Sequence, residues 1–485
     1  MAQEVELKLE LTPHAFEAII DSGMLPGETI TTRLRSLYFD TPKEDLRAAG
    51  FTLRIRESGE RRIQTVKAAG TGAAGLFARQ EWEKPVESDS PVLDETTPLK
   101  ALLGIKEDSL QPVFEVLVER RTWMISEDDA EFELVLDRGE AIGGDRREAF
   151  CEMEMELKRG SPSALFALAR RMSAVAPLRP GVLNKAERGY RLLRPAVRAV
   201  KAAPVVLKDD MTAAATFRYI AGACLRQFRL NEALLNDGNS EAVHQARVAL
   251  RRLRSAFTIY KAIAKDRQFD EFRNELRWLA ATLGLARDLD VLMSRCESGE
   301  ARDRLELARR KAYEDAFVAM ESPRALALML DLSEWLALGD WLTSPAESEA
   351  REQPAKDFAA SALDRFRKKV AKGGRSLAKL DDVSRHEVRK DAKKLRYAAE
   401  FFSSLFGGKR QKHRCARFLE TLEALQDKLG LLNDAASAQE VLARIGMNKD
   451  PVAAALLITP REKAALLDAA VEAHEAFDDA KPFWR

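Results

Sequence analysis

The stretch Glu4-Val5-Glu6-Leu7-Lys8 opens the chain with strict alternation of charged and apolar residues. Because successive side chains of a β-strand point to opposite faces, Glu4, Glu6 and Lys8 would share one face, with an apolar row behind them. A solvated edge strand shows the same pattern, so this stretch by itself leaves two interpretations open. The strands that follow in the N-terminal third distinguish between them.

The same alternation recurs through residues 1–190, which we predict to form about eight strands, each with a charged and an apolar face. Small barrels ordinarily fill their interior with apolar side chains. Regular charge on one face of so many strands instead predicts a barrel with a polar lumen, covered outside by helices. Buried unpaired charge is costly, so such a lumen would be wet or filled with ions. A half-exposed antiparallel sheet with alternating surface charges is the alternative.

Length and composition favour a multidomain globular protein. The chain has 485 residues, of which 46% are hydrophobic and 32% charged, and this predicts two or three domains. We expect no membrane partner, since no apolar run approaches the ~18 residues of a membrane span. The charged N-terminus predicts no secretory signal, and the four widely separated cysteines fit a reducing compartment. We therefore predict a cytoplasmic protein.

Several motifs of the N-terminal third, taken in order, resemble the signature of CYTH domains, the triphosphate tunnel metalloenzymes. The resemblance covers residues 1–195, and Asn184 stands where the family usually has Ser. The matching segments are Glu4-x-Glu6-x-Lys8, Tyr38-Phe39-Asp40-Thr41, Leu53-Arg54-Ile55-Arg56, Lys67, Arg79-x-Glu81, Arg120, Asp137, Glu152-x-Glu154-x-Glu156 and Asn184-Lys185-Ala186-Glu187-Arg188-Gly189-Tyr190.

The resemblance implies an eight-stranded antiparallel tunnel that binds a linear triphosphate and hydrolyses its end, releasing phosphate from tripolyphosphate and leaving pyrophosphate. The implied triphosphate ligands are Lys8, Arg54, Arg56, Lys67, Arg79, Arg120 and Lys185. The implied ligands for Mg²⁺ or Mn²⁺ are Glu4, Glu6, Glu152, Glu154 and Glu156, with Glu81, Glu133 and Asp137 as supporting groups. The residues expected to act in catalysis are Glu4, Glu6, Lys8, Lys67, Arg120 and Lys185.

Direct attack by water is the expected chemistry, because no Ser-His or Cys-His nucleophile is evident and His14 falls in a helix-like segment that we expect to be exposed. The same family includes class IV adenylate cyclases and thiamine triphosphatases, and these activities remain alternatives. A non-catalytic polyphosphate-binding or targeting protein is a further alternative. The intact set of acids argues against it, since a pure binder does not need metal ligands.

The second half of the chain changes character after an Ala- and Pro-rich linker, residues 196–204. Residues 1–195 carry 28 basic and 34 acidic side chains, whereas residues 196–485 carry 50 and 43. From residue 205 to residue 485 the pattern is helical and internally duplicated. His244–Arg254 resembles His386–Arg396, and Leu283–Asp288 resembles Leu429–Asp434. We predict two related four-helix bundles, about 205–345 and 346–485. The fold class is therefore α+β multidomain.

Each copy of the first motif places one histidine and three cations on an arc of about 80° beside an apolar seam. A lone stripe of this kind is usually a solvated face, but two copies argue against chance, since like charges at these spacings destabilise a helix unless an anion compensates them. The stripes consist of His244, Arg247, Arg251 and Arg254, and of His386, Arg389, Lys393 and Arg396.

This repeat resembles the CHAD domain, which implies a basic surface or pore that binds inorganic polyphosphate through the stripe residues. It would allow association of the protein with polyphosphate granules. Metal chelation by the histidines is a lower-ranked reading, because cations rather than carboxylates surround them. Nucleic acid is a third candidate ligand, weakened by the 7% aromatic content and the acidic N-terminal half.

Overall fold

Antiparallel pairing joins the N-terminal strands of the computed structural model into one sheet. The structure describes residues 4–27, 29–68, 71–73, 75–100, 104, 109–127, 129–235, 239–296, 299–447 and 457–485, and for residues 4, 71–73 and 77–79 the backbone only. The strands are β1 (Glu4–Leu11), β2 (Ile30–Asp40), β3 (Phe51–Ser58), β4 (Arg61–Ala68), β5 (Thr71–Ala73), β6 (Leu76–Arg79), β7 (Glu81–Pro85), β8 (Gln111–Glu127), β9 (Ala130–Gly143), β10 (Arg146–Arg159) and β11 (Arg179–Pro180).

The sheet closes into a barrel because the continuous segment formed by β6 and β7 pairs with the strands at both ends of the sheet. The order of neighbours is β1, β10, β9, β8, β2, β3, β4 and then β7. β7 continues directly from β6, which pairs back onto β1. β6 and β7 meet at Gln80, whose carbonyl oxygen accepts a hydrogen bond from the amide of Ala68 at 3.0 Å. Counting β6 and β7 as one bent strand, the barrel has eight strands, and the predicted fold class is confirmed.

The outer face of the barrel carries the apolar positions of the alternating strands. On one side they pack against helices α1 (Pro13–Asp21) and α3 (Ser163–Ser173), and a short helix, α2 (Asp45–Ala48), covers another part. Leu7, Leu134 and Met153 are fully buried in the apolar cluster between the strands and helices α1 and α3. Each buried side chain of this size contributes roughly 1.5–3 kcal/mol relative to exposure. The charged positions are thereby fixed on the inside.

The lumen is polar over only part of its length, which the alternation did not reveal. At one end the inward positions are apolar, and helix α4 (Lys185–Leu192) packs against them. Phe114 stacks on Tyr38 with ring centroids 4.7 Å apart, and Tyr190 meets Phe114 edge-on at 4.9 Å. The barrel therefore follows the usual rule of an apolar interior where α4 fills it, and departs from that rule where charged residues line a cavity.

The C-terminal half is helical, and within the described residues its long helices form two sets of four that follow one another. Helices adjacent in sequence pack against each other within each set. The first set consists of α5 (Ala213–Glu232), α6 (Ser240–Ile259), α8 (Phe269–Met293) and α9 (Glu300–Met320), with the short α7 (Lys261–Ala264) between. The second consists of α12 (Ala355–Gly374), α13 (Asp382–Phe402), α14 (Lys409–Arg444) and α15 (Pro460–Asp478).

The short α11 (Ser348–Glu352) precedes the second set, and α10 (Pro323–Leu338) lies between the two sets in sequence. The chain divides into a barrel unit, residues 1–197 with 321–338, and a helical unit, residues 198–320 with 339–485. Helix α10 thus belongs to the barrel unit, which the division at about residue 345 did not anticipate. In the part of the chain that the structure describes, no helix is both long and apolar enough to cross a membrane.

The segment predicted as a linker is held by hydrogen bonds to the helical unit. Asn231 donates to the carbonyl of Val200 at 2.8 Å and accepts from the amide of the same residue at 2.9 Å. Just after the predicted linker, Ser404 accepts from the amide of Leu207 at 2.8 Å. These bonds satisfy backbone groups that an unpaired linker would leave to water, so the segment from Val200 onward follows the helices rather than hanging free.

Candidate functional site

The register of β1, β10 and β9 arranges the lumen-facing side chains in transverse rows. Glu6 is opposite Glu156, which in turn is opposite Glu133. In the next row Lys8 is opposite Glu154. The third row consists of Glu10, Glu152, Asp137 and Arg120. Like charges directly opposite one another destabilise a sheet, so the all-acidic outer row needs a compensating cation.

Two lysines from different elements converge on the carboxylates of the inner rows. The Lys8 ammonium lies 2.9 Å from both Glu152 Oε1 and Glu154 Oε1. The Lys185 ammonium, supplied by the first turn of α4, lies 2.8 Å from Asp137 Oδ2 and 2.9 Å from Glu154 Oε1, and it also contacts Glu152. Three carboxylates and two ammonium groups therefore form one buried cluster. Opposite charges are paired within it, as the low-dielectric interior requires.

Arg120 completes this cluster. It binds Asp137 through two parallel hydrogen bonds, at 2.8 and 2.7 Å, and donates to Glu154 Oε2 at 3.1 Å. Burial by itself would raise the pKa of Glu154, but the cations of Lys185, Lys8 and Arg120 outweigh it and hold the pKa well below its usual range. The pKa of Asp137 is lowered for the same reason. Glu154 and Asp137 are therefore charged at neutral pH and keep the cations in place.

On the opposite wall of the lumen, Arg54 and Arg56 have no carboxylate paired with them among the described residues. β3 directs Arg54 and Arg56 inward, and burial, together with the charges of Arg54 and Arg120, lowers the pKa of Arg56 to about 9. Among the described residues, the buried Nε atoms of Arg54 and Arg56 have no hydrogen-bond partner. The Tyr38 hydroxyl oxygen accepts a hydrogen bond from Arg54. Two desolvated guanidinium groups side by side are what an anion would stabilise.

A cavity of about 670 Å³ separates the acidic and the cationic walls. Asp137 and Glu152 are fully buried behind it. Glu4 and Arg79 are directly opposite each other on β1 and β6, and their side chains lie outside the description. The predicted site residues that line the cavity are Glu6, Lys8, Arg54, Arg56, Lys67, Glu81, Arg120, Glu133, Glu154, Glu156 and Lys185.

Lys67 and Glu81 face each other across β4 and β7, with Lys67 Nζ 2.6 Å from Glu81 Oε2. Next to them Thr65 donates to Glu83 at 3.1 Å. Glu81, predicted as a supporting group, thus holds the Lys67 ammonium beside the cavity. Glu133, expected in the same supporting role, lies instead in the acidic outer row opposite Glu156.

Eight lining residues were not among the predicted site residues, namely Tyr38, Thr52, Glu83, Val135, Leu157, Lys158, Asn184 and Ala186. Glu83 and Thr52 share the faces of Glu81 and Arg54, so strict alternation along β7 and β3 is a signal that could have found them. Tyr38 belongs to a segment that matches the family signature, but the match assigned it no role in the site. Its neighbour Asp40 has a structural role, since it accepts from the Tyr190 hydroxyl at 2.6 Å and ties β2 to α4.

Divalent metal fits the outer carboxylates better than the inner ones. Oxygens of Asp137, Glu152 and Glu154 lie within 4.8 Å of one another. However, Lys8 and Lys185 already neutralise them, and an ion would have to displace both ammonium groups. Hard carboxylate oxygens suit Mg²⁺ or Mn²⁺, and such donors are found in the outer row.

In that row Glu6 and Glu156 are opposite each other, and Glu4 precedes Glu6 on the same strand face. Lys158 Nζ lies 2.6 Å from Glu156 Oε1, which is the kind of partial compensation that a bound ion would replace. The donor set of the outer row therefore fits a divalent ion.

In the helical unit, the two duplicated motifs of the sequence meet in space. Arg247 Nη2 lies 3.9 Å from Asp288 Oδ1, and at the equivalent place in the second repeat Arg389 Nη2 lies 3.8 Å from Asp434 Oδ1. A Cβ on Gly284 would come within 2.9 Å of Arg247 Nη1, so glycine makes room for the guanidinium. The second motif therefore orients the arginine of the first, once in each repeat.

The two basic stripes also face each other, since α6 packs against α13. Burial, together with the charges of Arg389 and Arg251, lowers the pKa of Lys393 to about 6. Burial and the surrounding arginines lower the pKa of His244 to about 4 and that of Arg247 to about 10. We call this surface, formed by the eight stripe residues, the basic groove. Like charges accumulate in it with too few carboxylates to balance them.

Hydrogen bonding within the described residues supports this description of the basic groove. The buried Nε atoms of Arg251, Arg389 and Arg396 have no partner there. The other histidine, His386, contacts Asn433 through Nδ1. Arg254 is surrounded by charges that we did not predict, Arg273 and Arg277 on α8. Arg287, within the Leu-Gly motif of the first repeat, adds a further positive charge near His244.

Comparison with known proteins gives two family matches, the CYTH domain over residues 2–190 and the CHAD domain over residues 219–443. An inorganic triphosphatase of Haemophilus influenzae is 27% identical over 203 residues, which are 40% of this chain and 55% of that protein. The chain therefore spans about half the length of that relative. An uncharacterized protein of Mycobacterium tuberculosis is 27% identical over 406 residues, 76% of each chain.

Among solved structures, the CHAD domain from the plant Ricinus communis has a TM-score of 0.49 and 27% identity, over 57% of this chain and 96% of that one. The fold and the sites define a class of protein, a closed barrel with acidic and basic inner walls, joined to a duplicated helical domain. The family matches make this specific. The chain belongs to the CYTH and CHAD families, with a CYTH domain at residues 2–190 followed by a CHAD domain at residues 219–443, as the motifs predicted.

Proposed function

We propose that the CYTH domain is a metal-dependent inorganic triphosphatase that converts tripolyphosphate to pyrophosphate and phosphate. The observation that carries the proposal is the pair of opposed walls around the 670 Å³ cavity, one acidic and one cationic. A triphosphate has roughly four negative charges, and fixed cations in a confined site are the means of neutralising them. The named activity of the Haemophilus influenzae relative supports the same assignment.

The cationic wall would bind the phosphate chain. The Nε atoms of Arg54 and Arg56 point to unmet hydrogen-bonding capacity there, and a guanidinium fork binds two phosphate oxygens at once. Lys67 and Arg120 line the same cavity, each held by a carboxylate. Arg79 stays in the proposed set on its sequence match. Because these groups are positioned before substrate arrives, they would stabilise developing charge without reorganising.

Glu6 and Glu156, with Glu4 on the same face and Glu154 in the next row, would hold Mg²⁺ or Mn²⁺. When bound, the ion would offset phosphate charge and lower the pKa of a coordinated water. Glu152 has a different role in this proposal. It is fully buried and contacts the ammonium groups of Lys8 and Lys185, so it would hold both ammonium groups in place, directed towards the cavity.

The test is a substrate panel on the full chain. Tripolyphosphate, ATP and thiamine triphosphate are each supplied with Mg²⁺, Mn²⁺ or a chelator, and phosphate, pyrophosphate and cyclic nucleotide are measured. We expect tripolyphosphate to give phosphate plus pyrophosphate only when metal is present. A cyclic nucleotide product, or preferred turnover of thiamine triphosphate, would replace the proposal with one of the related activities.

Glu6→Gln tests the metal assignment within the same panel. Loss of one carboxylate ligand should lower kcat by at least about 100-fold, since metal stabilisation is worth several kcal/mol. Glu60→Gln is the matched control, because Glu60 is exposed at the turn between β3 and β4. Turnover of Glu6→Gln at the level of this control would contradict the assignment.

We further propose that the basic groove binds inorganic polyphosphate, which would bring the enzyme to polyphosphate deposits. The unpartnered Nε atoms and the depressed pKa of Lys393 support a polyanion between the two repeats. Titration with polyphosphate, RNA and single-stranded DNA at matched phosphate concentration and several salt concentrations separates the ligands. Arg251→Gln with Arg389→Gln should weaken polyphosphate binding more than tenfold. Equal competition by all three polyanions would reduce the groove to a generic anion site.

A further inference from the structure

Residues 321–338 come from the middle of the helical half but form part of the barrel unit. Their helix, α10, packs against α3 and β11. Leu330 is 3% exposed and joins the apolar cluster behind β1, β9 and β10. Arg170 on α3 donates to Asp331 Oδ1 at 2.8 Å and also pairs with Glu334. Residues 321–338 therefore pack onto the outside of the barrel as part of the same unit.

β11 lies along β1 at the position of Lys8. On this edge β1 pairs first with β6 and then with β11, and the change occurs at Lys8. The amide of Lys8 donates to Gly75 O at 2.8 Å, and the carbonyl of Lys8 accepts from Gly181 N at 2.8 Å. A Cβ on Gly181 would lie 2.8 Å from Lys8 Cγ. The absence of a side chain at Gly181 therefore fixes the path by which Lys8 reaches Glu152 and Glu154.

Arg179 links this strand to the segment 321–338. It is the register partner of Glu10 on β1, two residues after Lys8. Its side chain, 15% exposed, pairs with Glu321 at the start of the segment. A continuous series of contacts thus runs from Glu321 through Arg179 and Gly181 to Lys8, within the barrel unit.

We propose that residues 321–338 act as a positioning element for Lys8, holding β11 against β1 so that Gly181 sets the path of the lysine side chain. The consequence for turnover rests on the proposed triphosphatase function, whereas the placement of Lys8 does not. Lys185 is the natural comparison, since its ammonium binds the same carboxylates but comes from α4. Displacing β11 should therefore affect Lys8 and spare Lys185.

The experiment measures acylation of lysines by an amine-reactive reagent, peptide by peptide in the mass spectrometer, together with kcat/KM for tripolyphosphate. In the wild-type chain Lys8 is 1% and Lys185 8% exposed, so both should label slowly. Gly181→Ala pushes directly on Lys8, and Glu321→Arg places two positive charges together at Arg179. Glu321→Asp is the conservative variant. Glu127→Arg, which breaks a pair between β8 and α3 in the same unit, is the control.

We expect Gly181→Ala and Glu321→Arg to raise the labelling of Lys8 severalfold and to lower kcat/KM about tenfold, since displacements of about 1 Å are costly in catalysis. Labelling of Lys185 should not change, and Glu321→Asp and Glu127→Arg should behave as wild type. Unchanged protection of Lys8 in both variants, or equal rises for Lys8 and Lys185, would overturn the inference. If the wild-type chain releases no phosphate, the triphosphatase proposal fails, but the labelling comparison still decides this one.

Discussion

At the scale of single residues, the candidate sites are marked by buried cations whose charge is not fully balanced. In the barrel this concerns Arg56, with a pKa lowered to about 9, and in the groove Lys393, with a pKa lowered to about 6. Their motifs identified both as cations, but sequence could not show how far each is desolvated. Burial depends on neighbours that are distant along the chain, and it is burial that makes these groups selective for an anion.

The histidine of the first repeat, His244, lies among the arginines of the groove. Burial and these nearby arginines lower the pKa of His244 to about 4. His244 is therefore neutral at ordinary pH. Lys393, with its pKa lowered to about 6, faces Arg251 on α6, Arg389 and Arg396 on its own helix, and Asp434 on α14.

Polyphosphate affinity should consequently rise as pH falls from about 7.5 to about 5.5. In the free protein Lys393 is mostly neutral above its pKa of about 6, and a bound polyanion favours the protonated form, so binding takes up a proton. We expect roughly a tenfold gain in affinity, equivalent to one pKa unit. Isothermal titration in buffers of different ionisation enthalpy measures the proton uptake. Lys393→Arg should remove most of the pH dependence, and an unchanged dependence would contradict the assignment.

At the scale of elements, helix α4 determines the shape of the lumen. Its start is fixed by a capping box, in which Asn184 Oδ1 accepts from Glu187 N at 2.8 Å and Glu187 Oε2 accepts from Asn184 N at 3.0 Å. Asn184 therefore serves as well as the Ser that the family usually has. The helix then presents Lys185 to the cavity and Tyr190 to the apolar end.

Gly189 allows α4 to approach β8, and Gly189→Ala should strongly destabilise the barrel. A Cβ at this position would lie 2.0 Å from Phe114 Cδ2, far inside contact distance. Overpacking of this kind typically costs about 1–3 kcal/mol, and more where the ring cannot move. A denaturant titration of the full chain, monitored by the intrinsic fluorescence of the barrel, gives the free energy of unfolding.

Asn184→Ser is the control for this prediction, and it should stay within a few tenths of a kcal/mol of wild type because both residues cap helices well. Equal stability of Gly189→Ala and wild type would show that Phe114 can rotate away. The motif places Gly189 and Tyr190 near the end of the domain, but it does not show which aromatic ring each of them contacts.

At the scale of the whole molecule, the order of the elements along the chain does not match their division between the two compact units. The repeat indicated one continuous helical half, yet α10 belongs to the barrel unit. Nothing in the periodicity of α10 distinguishes it from its neighbours, because an apolar face does not specify its partner. Leu330 was available to either unit, and long-range packing placed it behind β1.

Residues 1–197 without the segment 321–338 should therefore be less stable than with it. Burial of Leu330 by itself contributes about 1.5–3 kcal/mol. A synthetic peptide of residues 321–338, added in excess to the fragment 1–197, should raise the midpoint of thermal unfolding measured by calorimetry. The same peptide carrying Leu330→Asp should not. Identical midpoints with either peptide would show that the fragment does not use this helix.

The sequence by itself determined which residues share a face. The two-residue period of β1 and β10 placed Glu6 with Lys8 and Glu154 with Glu156, and the helical period aligned the groove cations, because both periods are local properties of the backbone. Only the tertiary structure decided the partners across those faces. Strand register set Glu6 opposite Glu156 and placed Glu152 between two lysines. Register and packing depend on contacts between distant segments, which a local pattern does not encode.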